Sequence, residues 1–266
     1  MFRRSESIQI KSPDQLAVMR RAGLVVALTL QAVTAAVRPG VTTRELDSIA
    51  RDCIKSNNAT PSFLGYHGFP AVICTSVNDE VVHGIPGERV LADGDLVSID
   101  CGAIVDGWHG DAAVSVPVGD VTAAVLALSA ATEAAMWAGL EQVRAGNRLS
   151  DIGNAVELAI NAAGDYGVVE DYTGHGIGTS MHMHPPVPNH GKPGKGPVLK
   201  VGMALAIEPM ATLGSPTVGV LADGWTVVAL DGGPAAHWEH TVAITQAGPW
   251  VLTALADVRL GREVQS

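Results

Sequence analysis

Five residues of this chain combine into a set that could hold metal ions and split a bond with water. Leu91, Gly94, Ile99 and Asp100 recur at the spacing of Leu199, Gly202, Ile207 and Glu208, so LADGDLVSID and LKVGMALAIE read as two copies of one element, each closed by an acid. The flanks repeat as well: His83-Gly84-Ile85-Pro86 precedes the first copy and His175-Gly176-Ile177-Gly178 the second. Burying a carboxylate at the end of an apolar run costs several kcal/mol unless something neutralises it, and a bound cation does so. Asp106-Gly107 is a two-residue hairpin turn joining Leu96–Val105 to Trp108–Val116. Counting back from it sets Asp111 opposite Gly102, so alternation places Asp100 and Asp111 on one face as diagonal neighbours, with glycine leaving room for an ion between them. Glu239 is expected mid-strand in HWEHTV, its neighbours facing the other way, and His175 comes from the glycine-flanked GHGIG. Four carboxylates in one pocket raise each other's pKa, whereas two divalent ions balance their charge and supply the means to activate water.

The elements that must position these groups are legible from caps and turns. Ser12-Pro13-Asp14-Gln15 is a capping box with proline at the first helical position, opening a helix to about Val37, where Pro39-Gly40 stops it. Thr42 and Glu45 cap a second helix to about Asn57, and the Gly/Pro-rich PSFLGYHGFP follows as a loop. Ala71–Val77 is strand-like. Asp120 is expected to cap an Ala-rich helix to about Arg144, and Ser150 another to Ala163. Strands are expected over Gly167–Asp171, Met203–Leu213, Trp225–Leu230, His237–Ile244 and Pro249–Leu252, with Asn189–Pro197 a surface loop. Helix pairs precede strands in each half, which predicts an α+β domain: an antiparallel sheet backed on one side by two pairs of helices.

Composition narrows the setting. The chain has 266 residues, 47% of them hydrophobic, enough for a sizeable core in one two-lobed domain spanning 1–266, with duplicated halves at roughly 13–120 and 121–255. Lys and Arg number 17 against 27 Asp and Glu, and without a clustered positive face no specific nucleic-acid partner is expected. The N-terminal MFRRSESIQIKS is too polar for a secretion signal, and the apolar run from Ala22 to Val37 is broken by Thr29, Gln31 and Thr34, so neither secretion nor a membrane span is expected. Cys53, Cys74 and Cys101 form no CxxC pair, which fits a reducing cytoplasm. A monomer is expected.

From about Pro61 to Thr241 the chain resembles the type I methionine aminopeptidases of the pita-bread metallopeptidase family, through PSFLGYHGFP, NDEVVHGIP, LVSIDCG, DGWHGDAA, GHGIG, IEPM, DGWT and EHT in family order. The resemblance implies a pita-bread fold with a pseudo-two-fold antiparallel sheet. It implies a dinuclear centre held by Asp100, Asp111, His175, Glu208 and Glu239, with Asp111 and Glu239 bridging. Its expected activity is removal of N-terminal initiator methionine from nascent chains and peptides whose second residue is small, with Glu208 taking the proton of the attacking water. His83 and His182 flank the metals in such enzymes, one contacting the scissile amide and the other helping to stabilise the tetrahedral intermediate. Phe63, Tyr66, Phe69, Cys74, Met181 and Trp225 are expected to form an apolar socket for the methionine side chain, which favours soft and aromatic walls.

His67, in GYHGF, is a further cleft candidate, while His109, His184, His190, His237 and His240 read as structural or exposed. Met181 and Phe69 depart from the Phe and Tyr frequent in bacterial relatives, and Thr173 replaces a frequent cysteine. The two ions could be Co, Mn, Fe or Zn, since one imidazole and four carboxylates suit several metals. Transient ribosome contact is expected. Proline-directed relatives and creatine amidinohydrolase usually carry a large N-terminal domain, whereas about eighty residues precede His83 here, and the helical insert of type II enzymes has no room between His182 and Glu208. A binding protein of the same fold that had lost catalysis is the rival of another class; such proteins typically lose ligands and gain basic tails.

Overall fold

A computed structural model describes residues 7–260. Residues 1–6, half of the stretch read above as no secretion signal, and the last six of the chain lie outside the described residues. Helix α1 spans Pro13–Ala36 and α2 Thr43–Ser56, each opened by the capping box expected of it. At α1 the Ser12 hydroxyl accepts from the Gln15 N–H at 3.3 Å while the Gln15 side chain accepts from the Ser12 N–H at 2.9 Å. Helices α3 (Ala123–Glu141) and α4 (Leu149–Ala163) start differently from expectation. Thr122, not Asp120, caps α3, its hydroxyl accepting from the Val125 N–H, while Asp120 sits two residues earlier in a turn where its N–H donates to the Asp93 carboxylate at 2.9 Å. At α4 the Asp151 carboxylate reaches back to the Arg148 N–H at 2.7 Å, and Ser150, inside the helix, accepts instead from the Lys195 N–H. Helix α3 also ends at Glu141, short of Arg144.

The strands are β1 (Thr60–Pro61), β2 (Ile73–Val77), β3 (Glu80–Val82), β4 (Leu96–Val105), β5 (Trp108–Pro117), β6 (Gly167–Val168), β7 (Gly174–Gly176), β8 (Met183–Val187), β9 (Ala204–Ile207), β10 (Met210–Thr212), β11 (Val218–Val220), β12 (Val227–Ala229), β13 (Ala235–His237), β14 (Glu239–Thr245), β15 (Gly248–Val251) and β16 (Val258–Arg259). The main sheet is antiparallel in the order β1-β4-β5-β14-β9-β7-β8, with β2 also on β4 and with β15 and β16 extending from β14. Two smaller sheets, β13-β10-β6 and β11-β12-β3, complete the α+β architecture.

The β4–β5 hairpin turns at Asp106 and Gly107, with φ of +48° and +78°, the left-handed pair that a tight two-residue turn needs. Its register is unbroken from Val105↔Trp108 to Leu96↔Pro117 and sets Asp111 opposite Gly102, as counted from the sequence. Asp100 therefore lies inside a long strand rather than at its end. The expected strand Met203–Leu213 is two: β9 stays in the main sheet, and the chain bends at Glu208-Pro209 so that β10 joins the small one. The partner strand bends at the same level, between His237 and Glu239, so Glu239 opens β14 instead of lying mid-strand.

Packing explains the helix positions. Val25, Val26, Leu30 and Val33 of α1 are buried with Val97, Ile99 and Cys101 of β4, while Met136 and Leu140 of α3 and Ile152 of α4 pack with Leu205 and Ile207. A Cβ at Gly110 would lie 2.7 Å from the Gly23 nitrogen, so α1 crosses β5 backbone to backbone. One turn earlier, the Arg20 guanidinium donates to the carbonyls of Leu252, Ala254, Leu255 and Ala256. Helices α1 and α3 are long and apolar enough to cross a membrane by length and composition, but 56% and 50% of their most apolar windows are buried within the fold.

Candidate metal centre

Asp100, Asp111, His175, Glu208 and Glu239 converge from β4, β5, β7 and the bends after β9 and before β14. Cross-strand pairing explains the meeting. Glu239 registers against Ala113 of β5, which itself faces Asp100 of β4. His175 pairs with Ala206, two residues before Glu208. The Thr241 hydroxyl locks β14 to β5, accepting from the Asp111 N–H at 3.0 Å and donating to the Asp111 carbonyl at 2.8 Å. His175 donates through Nδ1 to the Gly176 carbonyl at 2.9 Å, which fixes the tautomer and leaves Nε2 free, 3.4 Å from Glu208 Oε1. The glycine between the aspartates does not make space for an ion: a Cβ at Gly102 would strike the Phe63 ring at 2.8 Å, so this gap admits the wall of the adjoining cleft.

The electrostatics call for cations. Asp111 is 3% and Glu239 2% exposed. Burial, then the charges of Glu239 and Asp100, hold the Asp111 carboxyl well above the usual range; burial and neighbouring acids do the same to Glu208 and Glu239. Burial pushes Asp100 up to about 7 against the lowering effect of its hydrogen bond with Asp111. Asp100 Oδ1, Asp111 Oδ1 and Glu239 Oε1 are buried without a hydrogen-bond partner. Buried polar atoms are nearly always satisfied, so orphaned acceptors meeting at one point fit a cation. Two donor triads, Asp111-His175-Glu239 and Glu208-His237-Glu239, each have ligand atoms within 4.8 Å of one another and share Glu239.

The cleft above the acids is lined by Phe63, Tyr66, Phe69, Cys74, His83, Met181, His182 and Trp225 together with the five donors. Its walls interlock through edge-on rings, Phe63 against Phe69 at 6.5 Å and Phe69 against Trp225 at 5.1 Å. Nδ1 of His182 is 2.8 Å from the Tyr66 hydroxyl, and its ring lies 4.3 Å from that of His175. His83, at φ +62°, is flanked by the rings of Tyr172 and Trp225. Burial, then the nearby His182, lowers His83 to about 4, and burial with the same neighbour lowers His175 to about 3; both imidazoles are neutral near pH 7. His67 does not line this cleft; it stacks behind Tyr66 at 4.4 Å.

Sequence reasoning missed three neighbours. Tyr172 packs on His83, Thr241 holds Asp111, and His237, read as structural or exposed, is buried with Nε2 3.9 Å from Glu208 Oε2. Thr241 and His237 each stand two residues from Glu239, and strand alternation was the available signal for both.

With this geometry belongs a class. The chain matches metallopeptidase family M24 over residues 17–246 and is a member of it, with the pita-bread fold of that family and its use of divalent metal. It is 54% identical over 249 residues to methionine aminopeptidase 1 of Mycobacterium tuberculosis, covering 91% of this chain and 94% of that one. Methionine aminopeptidase 1 of Bacillus subtilis is 49% identical over 243 residues, covering 91% and 98% of the two chains. The crystal structure of methionine aminopeptidase from Thermotoga maritima superposes with a TM-score of 0.91 at 39% identity, over 93% of this chain and all of that one.

Proposed function

We propose that this chain is a methionine aminopeptidase that removes the initiator methionine from nascent proteins and peptides with a small second residue. The observation that carries the reading is one cleft in which an apolar, sulfur- and aromatic-lined socket opens directly onto five metal-type donors. Asp100, Asp111, His175, Glu208 and Glu239 would hold two divalent ions. Bound there, the ions supply a lowered pKa for water and polarisation of the scissile carbonyl. Whether Co, Mn, Fe or Zn fills the site depends on supply as much as on donors.

The chain's own groups divide the remaining work. Glu208 takes a proton from the attacking water and returns it to the departing amine as the peptide C–N bond breaks. The Tyr66 hydroxyl donates to His182 Nδ1, which leaves the Nε2–H to donate to the oxyanion of the tetrahedral intermediate. His83, neutral and held between rings, contacts the scissile amide. Phe63, Tyr66, Phe69, Cys74, Met181 and Trp225 bury the thioether side chain and exclude water from it. Residues 13–120 and 121–255 act as two related halves of one domain, and the acids they contribute meet between them. Three free thiols, two of them buried, suit the cytoplasm, where a monomer in transient contact with the ribosome would meet its substrates.

The test is release of methionine from a Met-Ala-Ser peptide by apo-protein reloaded separately with Mn2+, Co2+, Fe2+ and Zn2+. Turnover with at least one metal, lost in Glu208→Gln while circular dichroism stays native, is the expected result. Absence of release with every metal, or full activity in the Gln variant, would overturn the assignment.

A further inference from the structure

Among the described residues, His237 is the one titratable side chain at the centre that the mechanism leaves unused. It is 2% exposed, and its Nε2 is buried without any hydrogen-bond partner. That nitrogen lies 3.9 Å from Glu208 Oε2, too far for a hydrogen bond, and belongs to a triad with Glu208 and Glu239 whose donor atoms are all within 4.8 Å. Two donors each about 2.1 Å from one ion stand roughly 3 to 4 Å apart, so the separation is that of neighbouring ligands. The backbone that carries this imidazole is also held in place from behind. The backbone N–H of His237 donates to Ser115 Oγ at 3.0 Å and Ser98 Oγ at 3.3 Å, and the Ser115 hydroxyl donates to the backbone carbonyl of His237. Ser98 and Ser115 face each other on the hairpin two residues from Asp100 and Ala113, on the face that carries the acids, so one element sets the aspartates and this histidine together.

We infer that His237 is a sixth donor to the metal centre, its Nε2 joining Glu208 and Glu239 on one ion. This rests on the metal-centre reading above and extends it: each triad then contains an imidazole, His175 in one and His237 in the other. A second nitrogen shifts the preference of an oxygen-rich site toward Zn2+ and Co2+ relative to Mn2+.

The deciding measurement is the proton NMR spectrum of Co2+-loaded wild-type protein, in which each coordinated imidazole gives one strongly shifted, solvent-exchangeable ring N–H signal. Two such signals are expected, with one lost in His237→Gln. A single signal in the wild type overturns the sixth donor while leaving the five-donor centre standing, whereas failure of the wild type to bind Co2+ overturns both. Calorimetric titration of the apo-proteins gives an independent readout: His237→Gln should lose about tenfold or more in Zn2+ affinity and less in Mn2+ affinity. Equal losses for the two metals count against the inference. Should the Gln variant fail to fold, His237→Asn replaces it, and the wild-type spectrum decides regardless.

Discussion

Lowering the pH from 7 to 5 should strip metal from this protein, and the structure gives the direction and the order of magnitude of the effect. Asp100 is held at about 7, so without a cation it carries a proton through most of this range. A dication must displace that proton, and affinity therefore falls as pH falls. With Asp100 near 7 the factor is (1 + 10^(7−pH)), so this residue alone weakens binding by tens of fold between pH 7 and 5, on the order of 2 kcal/mol. Asp111, Glu208 and Glu239, raised by burial and by each other, act in the same direction. His175 sits at about 3, below the window, and adds no opposing term. Calorimetric titration with Mn2+ in buffers of different ionisation enthalpy counts the protons released, and at pH 6 at least one per protein is expected. An affinity flat between pH 5 and 7, or loading without proton release, would show that the acids are not packed as described.

Other perturbations separate the parts of the site. Tyr66→Phe removes the partner of His182 Nδ1 and should lower kcat by about fivefold with little change in KM, since a single neutral hydrogen bond contributes about 1 kcal/mol; a change confined to KM would contradict the role given to His182. Gly102→Ala places a methyl against the Phe63 ring and should raise KM for methionyl peptides while leaving metal affinity within about twofold; steady-state kinetics and metal titration check the two halves of that statement. Gly110→Ala drives a Cβ into the α1 backbone and should cost about 2–3 kcal/mol, read as a fall in thermal midpoint of the metal-loaded protein; an unchanged midpoint would mean that α1 does not press on β5 there.

What the sequence disclosed and what it hid follow a physical division. Local chemistry was readable: the Ser12 and Thr42 capping boxes, the Asp106-Gly107 turn and the register that brings Asp100 and Asp111 to one face are fixed by residues a few positions apart. The repeat drew attention to Glu208, but the bend at Pro209 that lifts it out of the main sheet depends on the matching bend before Glu239, a long-range agreement that no window of sequence contains. The starts of α3 and α4 went to Thr122 and Asp151, while Asp120 lies in a turn closed by Asp93 and the Ser150 hydroxyl is taken by Lys195, partners distant in the chain. Strands β7 and β8 were missed because glycines and prolines mask their pattern; pairing to β9 holds them. His237 was set aside because a lone histidine carries little signal until its surroundings are known.

The clasp that Arg20 makes on the carbonyls of residues 252–256 has a consequence for biogenesis. A chain leaving the ribosome N-terminus first exposes α1 long before those carbonyls exist, so the guanidinium and the Gly23 face must wait until residues 252–256 have been synthesised, more than 200 residues later. Late closure of this kind delays completion of the fold until that segment has emerged, and a truncation ahead of Leu252 would leave a greasy helix surface available to chaperones.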